Sequence, residues 1–446
     1  MNNKISLKHI SNYRELANNN PQVRLARNAA VRGDVMDLAM DWEAFRKIDH
    51  TFSEMVSGQM KVTNQKSSGR CWGFAGLNFF RIYLGRKYNL KKFEFSQNYF
   101  MFCDKLEKSN YFLENIIKTA DEPRDGRLVM HLLTDPIQDG GQWHMFTNLI
   151  NKYGVLPQSE MPESYQSSQS MRMNRMITRK LRGFAKDLRS AHGDGADTKE
   201  LMTMKDDMLG TVYQMLTISL GTPPETFDWQ VRDKDKKFYR FENLTPNTFF
   251  KDHVGLNINE YVCMIHCPMS DKIFNEVYTV DYLGNVVEGE IIRYLNLPSK
   301  RLKEAAASSI KEDHPVWFGC DVGKHFHKNL GVMDMAIFDY ELFYSTKFPM
   351  TKGDRLEYGD SQMTHAMLFT GVDLGNEGLP RKWRVENSWG DKRGDEGFDI
   401  MTDSWFDEYT YEVVVHKDYL TKDELAVYQK DPVHLPPWDP MGALAK

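Results

Sequence analysis

Cysteine is scarce in this chain. Its 446 residues hold five, Cys71, Cys103, Cys263, Cys267 and Cys320, an odd number without regular spacing. That excludes a disulfide scaffold, and a chain this long can bury a core large enough to need none. Long apolar runs are missing too: no window approaches a membrane span, and the opening MNNKISLKHI has no apolar core of a secretory leader, so a cytoplasmic protein is expected. Nor is there an excess of basic charge. Lys and Arg number 57 against 62 Asp and Glu, a net charge of -5, which argues against nucleic acid as an obligate partner. Dense metal-ligand clusters are also lacking. Cys263, His266 and Cys267 in YVCMIHCP, and His325 and His327 in GKHFHK, have superficial metal spacing, but no second ligand group accompanies either. The sequence favours a buried strand using cysteine as a small apolar residue for the first, and a polar strand or loop edge for the second. No metal or organic cofactor is expected.

What is present is an ordinary globular composition, 41% hydrophobic and 27% charged. At about 100–200 residues per domain the length predicts two or three domains, or one fold with a large insertion. Helical patterns come first and strands later, the order of an α+β protein with segregated halves. Residues 1–60 read as an N-terminal arm with helical periodicity over Val31–Trp42. Residues 61–105 contain a helix beginning at Cys71, apolar almost all round, with Ser67, Ser68 and Gly69 ahead of it as cap and turn residues. Residues 106–255 read as a mainly helical insertion, with an acidic capping pattern at Asp197–Glu200 opening a Met- and Leu-rich helix that ends at Gly221. Within it MRMNRMITRKLR carries Arg172, Arg175, Arg179, Lys180 and Arg182, a solvated basic helix face or a surface for acidic partners. Residues 256–430 are strand-rich: Val277–Tyr282 and Val286–Tyr294 predict a hairpin around Leu-Gly-Asn, followed by strands at Val316–Val322, His365–Val372, Trp383–Ser388 and Tyr411–His416. Residues 431–446 form a C-terminal arm.

The strongest chemical signal is Gln65-Lys66-Ser67-Ser68-Gly69-Arg70-Cys71-Trp72. A cysteine in the first turn of a helix meets the positive end of the dipole, which favours the thiolate. Taken alone it reads as a buried inert thiol, since free cysteine is among the most buried residue types. Gln65, six residues upstream across a turn, supplies side-chain N–H groups that, with the backbone N–H of Cys71, can form an oxyanion hole. Among thirteen histidines, His365 opens an apolar strand, THAMLF, and Asn387 in ENSWG lies 22 residues later on the next strand. Adjacent strands bring such ends together, so the Asn387 carbonyl can fix the tautomer of His365 and leave its other nitrogen for a thiol, with Trp389 excluding water from that bond. A satisfied core histidine is the plain alternative. His144, at the end of Gly140-Gly141-Gln142-Trp143-His144, is expected near a substrate subsite and is assigned no catalytic role.

Together these residues resemble the papain-like cysteine peptidases. Ser68-Gly69-Arg70-Cys71-Trp72 matches the family's nucleophile segment with Ser68 in place of the disulfide cysteine of secreted relatives, and NSWGDKRGDEGF matches its Asn-Ser-Trp-Gly segment. The interval from Cys71 to His365 is about one domain longer than in papain itself. VTNQKSSGRCW, DGGQW, PVWFGCDVGK, THAM and WDPMGALA are similar to the intracellular bleomycin hydrolase and aminopeptidase C branch. The resemblance implies a papain-like fold with a helical half and a β-barrel-like half, catalysis by Cys71, His365, Asn387 and Gln65, and substrate binding by Gly140, Gly141, Trp389 and Ala445. It further implies peptide substrates with a free N-terminus, a homohexamer, and a C-terminal arm in the substrate cleft; Lys446, one residue beyond the arm's usual end, would be trimmed. Two rival readings are a nucleic-acid-binding protein on a peptidase scaffold and an acyl or amide transferase using the same triad.

Overall fold

The computed structural model describes residues 3–445. At its centre lies the helix Cys71–Lys87, buried from Cys71 to Ile82. An apolar sequence with no polar face specifies such a helix, and its glycines let neighbours close in. A Cβ at Gly73 would stand 2.3 Å from the Phe100 ring, and one at Gly76 2.4 Å from Phe146. Phe100 and Phe146 belong to the helices Gln97–Lys118 and Trp143–Tyr153, which flank the central one. Outside them pack Met171–Gly193 and Thr198–Leu220. The second of these starts at the Asp197–Glu200 capping box, with Glu200 N donating to Asp197 Oδ1 and Asp197 N to Glu200 Oε2, both at 2.9 Å. The region 106–255 is not wholly helical. Phe227–Arg232 and Phe238–Leu244 form a separate hairpin, held by Trp229 and Phe241 stacking beside His253.

The second half is one mixed sheet. From edge to edge its strands are Val433–Leu435, Glu276–Val280, Tyr294–Asn296, Tyr261–Ile265, Thr410–His416, Val316–Cys320, His365–Leu374, Pro380–Glu386, Phe398–Thr402, Val332–Met333 and Phe326–His327, with Glu54–Met55 paired to His365–Leu374. The order is open, so the expected barrel-like closure is corrected to a curved sheet with two edges. One face packs on the central helix; the other is covered by Ser299–Lys311 through Leu302, Ala306 and Ile310. Strands at Val316, His365, Trp383 and Tyr411 form as the sequence predicts.

Three local expectations change. The periodic stretch Val31–Trp42 is not one helix: Asp34 and Asp41 accept the N–H groups of Met36 and Glu43 and start two separate short turns, Val35–Leu38 and Trp42–Phe45. The predicted tight hairpin is a wide one, because Glu276–Val280 pairs with Tyr294–Asn296 while the intervening chain forms no strand. There Asn148 from the helical half takes both backbone groups of Glu290, replacing the ladder. Ser67 and Ser68 do not cap the central helix. Arg70 is its N-cap residue without a side-chain cap bond, and the Ser68 hydroxyl is spent on the Gln65 carbonyl at 2.7 Å.

Candidate active site

The open N-terminus of the central helix faces the ends of two adjacent strands. Strand His365–Leu374 pairs with Pro380–Glu386 in the register Leu368↔Glu386, which carries Asn387 back toward His365. The ring Nε2 of His365 donates to Asn387 Oδ1 at 2.9 Å. The Asn387 amide is oriented from its far side: its Nδ2 donates to Asp399 Oδ2 at 2.9 Å, so its oxygen faces the ring. His365 Nδ1 is thereby left as the proton acceptor. The Cys71 thiol is reached by the backbone N–H of Ala366, the residue after His365, and Cys71 and His365 line one cleft of about 730 Å³. Trp389 lies over the imidazole with ring centres 4.9 Å apart.

Burial governs the charge state here. It pushes the Cys71 thiol up, against the lowering by the Ala366 N–H, and pulls the His365 imidazole down, against the raising by the bond to Asn387. Burial thus works against the ionised pair that the helix dipole favours. Charge separation follows by moving one proton from Sγ to Nδ1, which creates a mutual attraction to offset two desolvation costs.

Gln65 is buried and lines the same cleft as Cys71. Its Oε1 accepts from Ser388 Oγ at 2.5 Å and its Nε2 donates to the Ser68 carbonyl at 2.6 Å. One amide hydrogen is thus occupied and the second remains available to an oxyanion beside the Cys71 N–H. The loop between Gln65 and Cys71 is anchored from both directions. Arg70 makes a two-pronged pair with Glu163 at 2.9 and 2.7 Å, and Asp139 accepts the Gly69 N–H at 2.9 Å. Asp139 also takes Asn174 Nδ2 at 2.7 Å, the Ser170 hydroxyl and the Lys105 ammonium at 2.8 Å, which hold its carboxyl well below the ordinary range despite burial.

Gly140 lines the cleft, its carbonyl accepting from Lys108 Nζ at 2.5 Å. Gly141 lies behind it, where a Cβ would stand 2.5 Å from the Trp72 indole, so its smallness serves packing of Trp72 rather than contact with the cleft. The C-terminal arm ends in the turn Pro440–Ala445; Leu444 lines the cleft with Cys71, and the Ala445 carbonyl accepts from Gln138. Lys446 lies outside the described residues. His144 is buried between Cys263 Sγ and Tyr428 OH, away from the cleft. Cys263 stands in a buried strand, and Cys267 is a buried free thiol. His325 and His327 pack on Phe338, and among the described residues no group of His, Cys, Asp or Glu is spaced to hold a metal ion. No described helix is long and apolar enough to cross a membrane.

Asp399, Ser388 and Asp139 position this site and went unassigned in the sequence. Asp139 had a visible signal in the Asp-Gly-Gly step and Ser388 in the Asn-Ser-Trp-Gly string; Asp399 is one acid in an apolar strand. A further tie, the buried pair of Arg81 Nη2 and Glu386 Oε1 at 2.6 Å, joins the central helix to the residue before Asn387.

Comparison with known proteins agrees with this geometry. The family model described as Peptidase C1-like matches residues 4–442. Bleomycin hydrolase of Gallus gallus is 45% identical over 434 residues, covering 96% of this chain and 95% of that one. Aminopeptidase C of Listeria monocytogenes is 44% identical over 445 residues, with all of both chains covered. The crystal structure of PepW from Lactobacillus rhamnosis superposes with a TM-score of 0.97 at 43% identity over 99% of each chain. A papain-like α+β fold, a thiol at a helix start facing an Asn-oriented histidine, and matches along nearly the whole length lead to one conclusion: this chain belongs to the Peptidase C1-like family of cysteine peptidases.

Proposed function

We propose that the chain is a cytoplasmic cysteine aminopeptidase that removes N-terminal residues from peptides through a thioester, with bleomycin-type amides within its reach. The observation that carries this is the arm: Leu444 occupies the same cleft as Cys71 and His365, and Gln138 holds Ala445 beside it. A cleft filled on one side of the thiol has room there for a short piece of substrate only. Longer N-terminal extensions meet the chain's own backbone.

Cys71 is the nucleophile, His365 the base, Asn387 its orienter, and Gln65 with the Cys71 N–H the oxyanion donors. Nδ1 of His365 takes the thiol proton as sulfur bonds to the first peptide carbonyl. The tetrahedral oxyanion is held by the two N–H donors, and collapse breaks the C–N bond as the imidazolium protonates the leaving amine. His365 then removes a proton from water, which attacks the thioester; the acid leaves and the thiol is restored. Gly140, Trp389 and Ala445 bound the substrate, and Gly141 seats Trp72 beneath them.

The assembly is a homohexamer in this reading. Support comes from the helices Leu7–Asn19 and Pro21–Ala30, which bury no residue and leave Leu7, Leu16 and Leu25 more than 70% exposed. The cytoplasmic setting is supported by five free buried cysteines and by Ser68 serving as a hydrogen-bond node where secreted relatives need a disulfide.

Hydrolysis of paired free and N-acetylated aminoacyl-7-amido fluorogens tests the activity, with Cys71→Ala as control. Free amines should be turned over and blocked ones not. Equal turnover of both would reject the aminopeptidase assignment while keeping the peptidase one.

A further inference from the structure

One wall of the cleft is the helix Met171–Gly193, and two of its cations have no role in the chemistry above. Arg175, Thr178 and Arg182 all line the cleft. Their spacing of three and four residues puts them on one face, a stripe roughly 10 Å long at the helical rise. The opposite face, Met173, Ile177, Leu181 and Leu188, is buried in the core, which fixes the rotation of the helix.

The stripe has a direction. At one end Asn174 bonds the Asp139 carboxylate that also holds the Gly69 N–H, so Arg175 stands beside the loop that carries the nucleophile. At the other end Arg182 donates to the carbonyls of Leu133 and Thr134 at 2.8 and 2.6 Å, next to Gln138 and the arm. The stripe therefore spans the interval between the thiol and the arm, where the substrate's first residue must lie. Arg182 is tethered to backbone carbonyls, while Arg175 is exposed with no hydrogen bond or ion pair among the described residues. Lys66 adds a third cation to the lining. Of the two acidic lining residues, Asp139 is consumed by its four donors and Asp135 stands exposed at the arm end.

We infer that Arg175, backed by Arg182, forms a subsite for an acidic side chain on the substrate's N-terminal residue, so that glutamyl and aspartyl N-termini are selected over their amides. The inference rests on the aminopeptidase reading above. A carboxylate matches a guanidinium with two parallel N–H donors, whereas the isosteric amide offers one acceptor and no charge. A partly exposed pair of this kind is worth about a factor of 2–5, and more where bound substrate excludes water.

The test is the ratio of kcat/KM for glutamyl- and glutaminyl-7-amido fluorogens in wild type, Arg175→Gln, Arg175→Lys and Arg175→Glu, at low and high salt. Wild type should favour glutamyl about fivefold at low salt, with the preference shrinking in 0.5 M salt. Arg175→Gln should bring the ratio near one, Arg175→Lys restore part of it, and Arg175→Glu invert it and favour lysyl substrate. A wild-type ratio unchanged by Arg175→Gln and by salt overturns the subsite while leaving the aminopeptidase intact. If wild type turns over N-acetylated glutamyl substrate as fast as the free one, the aminopeptidase reading fails and the subsite with it.

Discussion

Asn387 is gripped at both ends of its amide, and that grip decides what His365 can do. Asn387→Ala removes the acceptor that fixes the tautomer, so kcat/KM should fall by about 10²-fold. The lost bond also raised the affinity of His365 for its proton, so the acid limb of the pH–rate profile should move to lower pH. A stopped-rate profile of wild type and variant measures both. Behind Asn387, burial holds the Asp399 carboxyl up at about 7, with the Asn387 amide lowering it only in part. Between the ordinary aspartate value of 3.8 and about 7, the unfolded chain has released a proton that the folded chain keeps. That residue's contribution to stability therefore declines as pH rises through this window. Asp399→Asn keeps an acceptor for Asn387 Nδ2 and abolishes the titration. Its urea midpoint should vary less from pH 4 to 7 than the wild type's. Cys71, His365, Asn387 and Gln65, the residues proposed for catalysis, each sit in a local string whose chemistry needs few neighbours, and so could be picked out before the fold. Asp399 was not, since its role exists only once the Phe398–Thr402 strand lies beside Pro380–Glu386.

At the scale of elements, the central helix and the sheet are joined by an ion pair sealed from water. Arg81 interrupts an otherwise apolar run, FFRIY, and that lone charge was a readable sign of a buried partner; only the fold names Glu386. Arg81→Leu strands a carboxylate in the interior and should cost about 3–5 kcal/mol, while Arg81→Leu with Glu386→Leu should recover most of it. Thermal melts of the single and double variants give the comparison, and activity should recover less than stability because Asn387 follows Glu386 directly. The helix from Cys71 was readable from its apolar run and Thr198–Leu220 from its capping pattern, as were the strands at Val316, His365, Trp383 and Tyr411. The segment between Val280 and Tyr294 misled because Glu290 satisfies its backbone on Asn148, a side chain from the distant helix Trp143–Tyr153. Composition alone carries no trace of such a partner.

For the whole molecule, the two outermost N-terminal helices leave an apolar face uncovered, which a lone copy would hold in water at a cost of about 25 cal/mol per Å². In the homohexamer proposed above, removing residues 1–33 should lower the mass seen by light scattering to that of one chain while cleavage of free aminoacyl fluorogens persists. Truncation after Pro440 should instead leave that mass unchanged and raise the rate on N-acetylated substrates toward that on free ones. The general plan, helices first and strands later, was visible in the order of patterns along the chain. The open edges of the sheet were not, because closure depends on how far the strands coil, a sum over many small twists.

The strand Val433–Leu435 is laced to Glu276–Val280 only a few residues before the arm enters the cleft. A ligand on so short a leash confronts its site at an effective concentration in the millimolar range, whatever the dilution of the protein. Free peptides imitating that tail would compete poorly, and selectivity for chain ends would be as strict in a dilute assay as in a crowded cell.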